Sequence, residues 1–183
     1  MFREALTQIV QKLEKAKAGG LLRGYGLIGG FAVSAWGSPR ATDDIDFVIV
    51  VDSPDPAKLT DVLGGHYRHG SADDPLRGVF NTSVTVEAAT IPIQLILLPA
   101  SWTDIVLAGL KVFTVAGSSV PVVSWQTLVL LKLYAGGPQD LIDAQGIWIA
   151  RQPDDTAVSE MQALAGKLGL AVEFKAFIQR VAS

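Results

Sequence analysis

The sequence contains no cysteine, which excludes disulfides and thiolate–metal sites. It has two histidines, His66 and His69, three residues apart in a polar stretch. A zinc site needs further ligands, and none accompany them, so both are expected at the surface. No run reaches the roughly 18 apolar residues of a membrane span. Arg3, Glu4, Lys12 and Glu14 interrupt the apolar residues of the N-terminal segment, which is unlike a signal peptide. A soluble, cytoplasmic protein with no membrane partner is the expectation. Internal repeats, low-complexity tracts and long charge runs are also missing. The net charge of −3 argues against a dominant nucleic-acid footprint. A chain of this charge that binds phosphates needs a positive charge from elsewhere, and a metal ion is the natural source.

What is present is core material. Of 183 residues, 49% are hydrophobic and 18% charged, enough for one compact domain. The mean hydropathy of +0.35 suggests, in addition, a surface for a protein partner or a homodimer.

Periodicity sets the elements. Leu6, Ile9, Val10 and Leu13 recur at helical spacing, with a stop near Gly19-Gly20. Tyr25–Ile28 reads as a short strand and "FAVSAWG" as a helix ended by Gly37 and Pro39. "IDFVIVVD" is a continuous apolar β-rich run, as expected of a central strand buried on both faces. "SPDPAKLTDVLGG" carries a cap, early prolines and Leu59, Val62 and Leu63, and so predicts a helix. The polar segment from Gly65 to Arg77 reads as a loop. "GVFNTSVTVEA" and "IPIQLILLPA" predict a hairpin turning near Ala89-Thr90. A short helix and a second hairpin turning at Gly117-Ser118 follow, and from Ser124 on the pattern is helical. The order predicts an α+β fold, a mixed β-sheet core flanked by helices. Residues 1–123 would form the α/β core, and residues 124–183 a helical C-terminal part packed on it.

The chemistry concentrates between Gly29 and Val50. Asp44 and Asp46 are spaced i, i+2, which in a strand points both carboxylates to one face. Two like charges so placed are costly unless a cation sits between them. Mg²⁺, or Mn²⁺, takes hard oxygen ligands and leaves room for substrate phosphates. Gly29-Gly30 lies between a strand and a helix, where backbone N–H groups can approach an anion closely. One βαβ-like stretch thus offers a phosphate-binding turn and a metal-binding strand. Arg40 can contact a triphosphate or hold Asp44 or Asp46 as an ion pair. Ser34 can reach a phosphate or serve structure alone. Lys132 can neutralise phosphate or bridge to an aspartate.

Gly29-Gly30 followed by Asp44-Ile45-Asp46 resembles the signature of the DNA polymerase β-like nucleotidyltransferase superfamily. The variant with Arg40, Thr42, Asp44 and Asp46 is similar to the branch that contains AbiEii-type toxins, other minimal nucleotidyltransferases and some aminoglycoside nucleotidyltransferases. "LVLLKLYAGGPQDLIDA" resembles a helical segment of the same branch and supplies Lys132, Ala135, Asp140 and Asp143, with Gly137 or Gly136 where an arginine is usual. The resemblance spans roughly Leu21 to Ala150. It implies a nucleotidyltransferase fold and metal-dependent transfer of a nucleoside monophosphate from an NTP to an acceptor hydroxyl on tRNA, a protein or a small molecule. It also implies triphosphate contacts from Gly29 and Gly30 and metal ligation by Asp44 and Asp46; Ser34, Arg40, Thr42 and Lys132 are the further candidate nucleotide-binding residues. A toxin–antitoxin setting is implied by the family alone.

The chain departs from the pattern at the third carboxylate, where "IPIQLILL" holds Gln94. An amide is a poor metal ligand and no general base. With a turn at Ala89-Thr90, Thr85 would pair with Gln94 and Glu87 with Pro92, making Glu87 a same-face neighbour that replaces the missing carboxylate as a catalytic group. The alternative is a non-catalytic module that keeps the scaffold to bind a nucleotide or a protein, with Gln94 marking the lost chemistry.

Overall fold

A computed structural model of the chain describes residues 1–52, 55–70 and 76–182. At its centre is strand β2 (Ile45–Val50), which has β1 (Gly24–Ile28) antiparallel on one side and β5 (Ala89–Leu97) parallel on the other. The remaining strands are β3 (His66–His69), β4 (Gly78–Val86), β6 (Lys111–Val115) and β7 (Ser118–Val122). The seven strands form one mixed sheet in the order β3-β4-β5-β2-β1-β7-β6. All but one of the β2 residues are buried; the exception is Asp46. This is what a β-branched apolar run flanked on both edges should do.

Helix α1 (Phe2–Ala18) turns Leu6, Ile9 and Leu13 into the core and ends at Gly19. It lies over the sheet face that carries Tyr25 and Phe47, whose rings meet edge to face. The Tyr25 hydroxyl donates to Glu14 of α1 at 2.5 Å. Asp46, one residue before Phe47, therefore points to the opposite face. Helix α2 (Gly29–Ala35) joins β1 to β2, and α3 (Pro56–Leu63) starts at Asp55, whose side chain accepts from the Lys58 N–H. A turn of 3-10 helix at Ala100–Trp102 leads into α4 (Thr103–Ala108).

Four helices complete the chain: α5 (Trp125–Ala135), α6 (Pro138–Arg151), α7 (Asp155–Lys167) and α8 (Ala171–Val181). Helix α5 buries Leu128, Val129, Leu130 and Leu131 in succession, so it is apolar around its circumference and sits inside the molecule. Trp148 of α6 packs edge to face on Phe174 and Phe177 of α8. Residues on both sides of position 124 belong to a single hydrophobic cluster.

Three local expectations are corrected. Because β1 and β2 run antiparallel, the glycine-to-aspartate segment is a strand–helix–strand turn-back and not a βαβ crossover. His66–His69 forms an edge strand on β4 where the sequence suggested a loop; its polarity is that of an exposed edge. Residues 71–75 of that predicted loop lie outside the described residues. The hairpins turn earlier than expected, at Glu87-Ala88 and Ala116-Gly117. In each, a non-glycine residue takes positive φ (56° at Glu87, 47° at Ala116), a choice composition alone does not reveal.

Candidate active site

The site is organised by one rung of the sheet, Ile28–Asp46–Gln94–Asn81–His66, which crosses five strands. Directly paired residues share a face, so Gln94 stands beside Asp46. Asp44, in the bend just before β2, lines the same cavity as Asp46, and its charge acts on Asp46. The i, i+2 spacing thus brings the two carboxylates together as expected. Thr42 fixes Asp44 by donating its hydroxyl to Asp44 Oδ1 at 2.8 Å.

The glycines have a reason that the sequence only half discloses. Gly29 has φ +67°, a conformation L-residues avoid, and a Cβ there would collide with Asp46 Oδ2. A Cβ at Gly30 would lie 2.7 Å from Thr42 Cβ and 2.8 Å from its Oγ1. Gly29 therefore leaves room for Asp46, and Gly30 for Thr42, which orients Asp44. Gly29→Ala should destabilise the protein by about 2 kcal/mol through backbone strain and collision. Gly20→Ala, at φ +73° with open space around it, should cost only the backbone part, about 1 kcal/mol. Urea melts of the two variants separate the terms, and equal losses would mean that Asp46 moves aside freely.

Burial is the main force on Asp46, pushing its carboxyl up to about 6, and the Asp44 charge adds to the rise. Lys132 and Arg40 oppose the shift, while Asp140 contributes a small further rise. Neither cation is ion-paired to the Asp44–Asp46 pair among the described residues. Lys132 Nζ, in α5, lies 2.8 Å from both Asp140 Oδ1 and Asp143 Oδ2. Arg40 Nε lies 3.2 Å from Asp143 Oδ1, an ionic contact outside hydrogen-bond geometry. Gln139 also donates to Asp143 Oδ1, at 2.9 Å. Asp143 is 2% exposed. Of the two roles open to Lys132, it takes the bridge between aspartates while still facing the cavity. Arg40 pairs with Asp143 rather than with Asp44 or Asp46, because the loop before β2 turns its side chain toward α6.

The other predicted residues are placed as follows. The Ser34 hydroxyl engages the Arg40 backbone, with Oγ 3.3 Å from its nitrogen and 3.4 Å from its oxygen, and Ser34 does not line the cavity. Glu87 is a correction. It sits in the β4–β5 turn, six residues beyond Asn81, the partner of Gln94. Six residues of strand span about 20 Å, so Glu87 does not complete the carboxylate set. The observed register pairs Asn81, not Thr85, with Gln94.

The cavity measures about 400 Å³, with Gly29, Asp44, Asp46 and Gln94 on the sheet side and Lys132 and Asp140 on the helical side. Asp140 is the carboxylate whose position the sequence did not reveal: the Asp140–Asp143 spacing matched a motif without showing that one residue is buried and the other faces the aspartate pair.

Asp44 and Asp46 suit a divalent cation as a donor set. They are hard oxygen ligands, crowded together, with no countercharge bound to them. Among the described residues no group of three His, Cys, Asp or Glu gathers around a common point. The site therefore offers two carboxylates, and waters or substrate oxygens would supply the remaining ligands.

No protein-family model and no curated protein matches this chain. Solved structures do. The crystal structure of an antigenic nucleotidyltransferase-like protein from Paracoccidioides brasiliensis aligns over 93% of this chain and 91% of its own, at 17% identity and a TM-score of 0.53. The solution structure of the antibiotic-resistance factor ANT(2'')-Ia aligns over 94% and 98%, at 14% identity and a TM-score of 0.47. At such identities the first likeness speaks for architecture and for nothing finer. With the mixed sheet, the flanking helices and the glycine–aspartate turn in place, the chain has a nucleotidyltransferase fold.

Proposed function

We propose that this protein is a metal-dependent nucleotidyltransferase that moves a nucleoside monophosphate from an NTP to an acceptor hydroxyl. The observation that carries the proposal is the placement of Asp44, Asp46 and Gly29 in the lining of one cavity, with Asp46 packed against Gly29. Asp44 and Asp46 would hold Mg²⁺ or Mn²⁺, which when bound supplies charge neutralisation for the phosphates. Gly29, which lines the cavity, would present its backbone beside the triphosphate, with Gly30 next to it in the same turn packed on Thr42. Thr42 holds Asp44, and Asp143 holds Arg40, so the loop before β2 keeps its shape when the charge in the cavity changes. In the transfer, the acceptor oxygen bonds to the α-phosphorus and the bond from that phosphorus to the bridging oxygen breaks. Pyrophosphate leaves with the electron pair. The hydroxyl proton needs a base, which Gln94 is not; Asp140 is the cavity carboxylate outside the metal-holding pair.

Arg40 and Thr42, with Lys132, Asp140 and Asp143, support the branch that contains AbiEii-type toxins, minimal nucleotidyltransferases and some aminoglycoside nucleotidyltransferases, within which a toxin–antitoxin setting is one that the family alone implies. A second reading rests on Gln94: a module that binds a nucleotide or a protein partner without catalysis. Calorimetric titration with each NTP, with and without Mg²⁺ or Mn²⁺, tests the nucleotide site that the first reading needs, and pyrophosphate release from the bound NTP separates it from a module that only binds. Metal-dependent binding that weakens at least a hundredfold in Asp44→Ala is expected. Failure of every NTP to bind with either metal would overturn it in favour of the partner-binding module.

A further inference from the structure

The cavity is asymmetric. Along β5 the lining runs from Gln94, beside Asp46 and the glycine turn, to an apolar end at Ile96 and Leu98, and Leu128, Leu131 and Tyr134 of α5 line the cavity from the helical side. Ile96 and Tyr134 are only half-buried, so this end is an open apolar wall and not filled core. Ile96 follows Gln94 by two residues and shares its face of the sheet. With the triphosphate on the glycine turn, in-line displacement requires the acceptor oxygen to approach from the far side of the transferred phosphorus. Across the sheet the glycine turn follows β1, Asp46 lies on β2 and Gln94 on β5, so β5 is the strand on the far side of Asp46 from that turn. A hydroxyl near Gln94 would have its molecular body lying along Ile96 and Tyr134.

We propose that the apolar end is the acceptor subsite and takes an uncharged hydroxyl compound with a flat apolar body. This rests on the nucleotidyltransferase reading and narrows its substrate class. A polycationic amino sugar would set ammonium groups against leucines without partners. A nucleic acid would bring further phosphates to a wall whose residues Ile96, Leu98, Leu128 and Leu131 offer them no cation.

The probe is 2-naphthol, a neutral fluorescent aromatic alcohol, titrated into the full chain with and without ATP and Mg²⁺. Saturable binding is expected, unaffected by saturating ATP–Mg²⁺ and weakened about tenfold in Ile96→Thr, which removes apolar contact and adds a hydroxyl. Tyr134→Ala, at a half-buried position of α5, should weaken it similarly and serves if the strand variant fails to fold. With α-labelled ATP, label should pass to the naphthol oxygen and not to an aminoglycoside or tRNA. Competition between naphthol and ATP–Mg²⁺ would make this end the nucleobase site and overturn the proposal. So would the absence of saturable binding, or binding that both variants leave unchanged. Naphthol binding that the variants weaken, in a protein that binds no NTP at all, would leave an apolar site standing and overturn the transfer reading together with the acceptor role.

Discussion

Asp46→Asn should make the metal-free protein more stable at neutral pH, by about 2 kcal/mol. Burial and the neighbouring Asp44 raise the Asp46 carboxyl from 3.8 to about 6 in the folded state. A change of that size corresponds to about 3 kcal/mol if it acts in full, and the residual solvent contact of Asp46 reduces it. An acid whose folded value is raised favours the folded state below about pH 4, where it is protonated in both states, and that contribution is lost as pH rises through 6. The difference between variant and wild type should therefore be near zero at pH 4, grow between pH 4 and 6, and level off above pH 7. Urea unfolding at each pH reads it, and the comparison cancels groups common to both proteins. Mg²⁺ should stabilise the wild type alone and close the gap. A variant less stable than wild type at pH 7 would mean that the ionised carboxylate supports the fold. On the reading offered above, the cost of ionised Asp46 is what a bound cation would relieve, so the same substitution should gain stability and lose nucleotide binding.

Much of this arrangement was legible in the sequence because it is local. The i, i+2 aspartates, the glycine pair and the apolar run of β2 each depend on residues close in the chain, where periodicity and steric rules act. The helices after Ser124 were legible for the same reason. Pairing register was not. The Glu87 assignment failed because hairpin register is set by the turn, and the turn at Glu87-Ala88 uses a positive φ that no glycine or asparagine advertises. Moving the turn by two residues on the β5 side shifts the partner of Gln94 by four positions. The ion-pair partner of Arg40 was not legible for a related reason: Asp143 is far along the chain, and charge alone does not choose among aspartates. The edge strand at His66–His69 has no apolar alternation to mark it; it is held by backbone pairing to β4.

Asp143 is where the two sequence motifs meet, and its removal should be the most damaging single change at the site. Asp143→Ala should cost about 3 kcal/mol, because Arg40 loses its carboxylate partner and Lys132 one of two, in a place where Lys132 is 8% exposed. Asp140→Ala leaves Asp143 to hold both cations and removes a more exposed partner, so it should cost less than about 1 kcal/mol. Urea melts of the two variants test that ranking. The consequence extends past stability. Arg40 anchors the loop whose Thr42 orients Asp44, so releasing Arg40 should loosen the aspartate pair although Asp143 does not line the cavity. Metal-dependent NTP affinity, corrected for the folded fraction, should then fall about tenfold in Asp143→Ala. Arg40→Lys should fall less, since it keeps the charge but not the planar fork. Full affinity in folded Asp143→Ala would show that the Asp143 ion pairs stabilise the helical packing and leave the geometry of Asp44 and Asp46 to β2 and Gly29 alone.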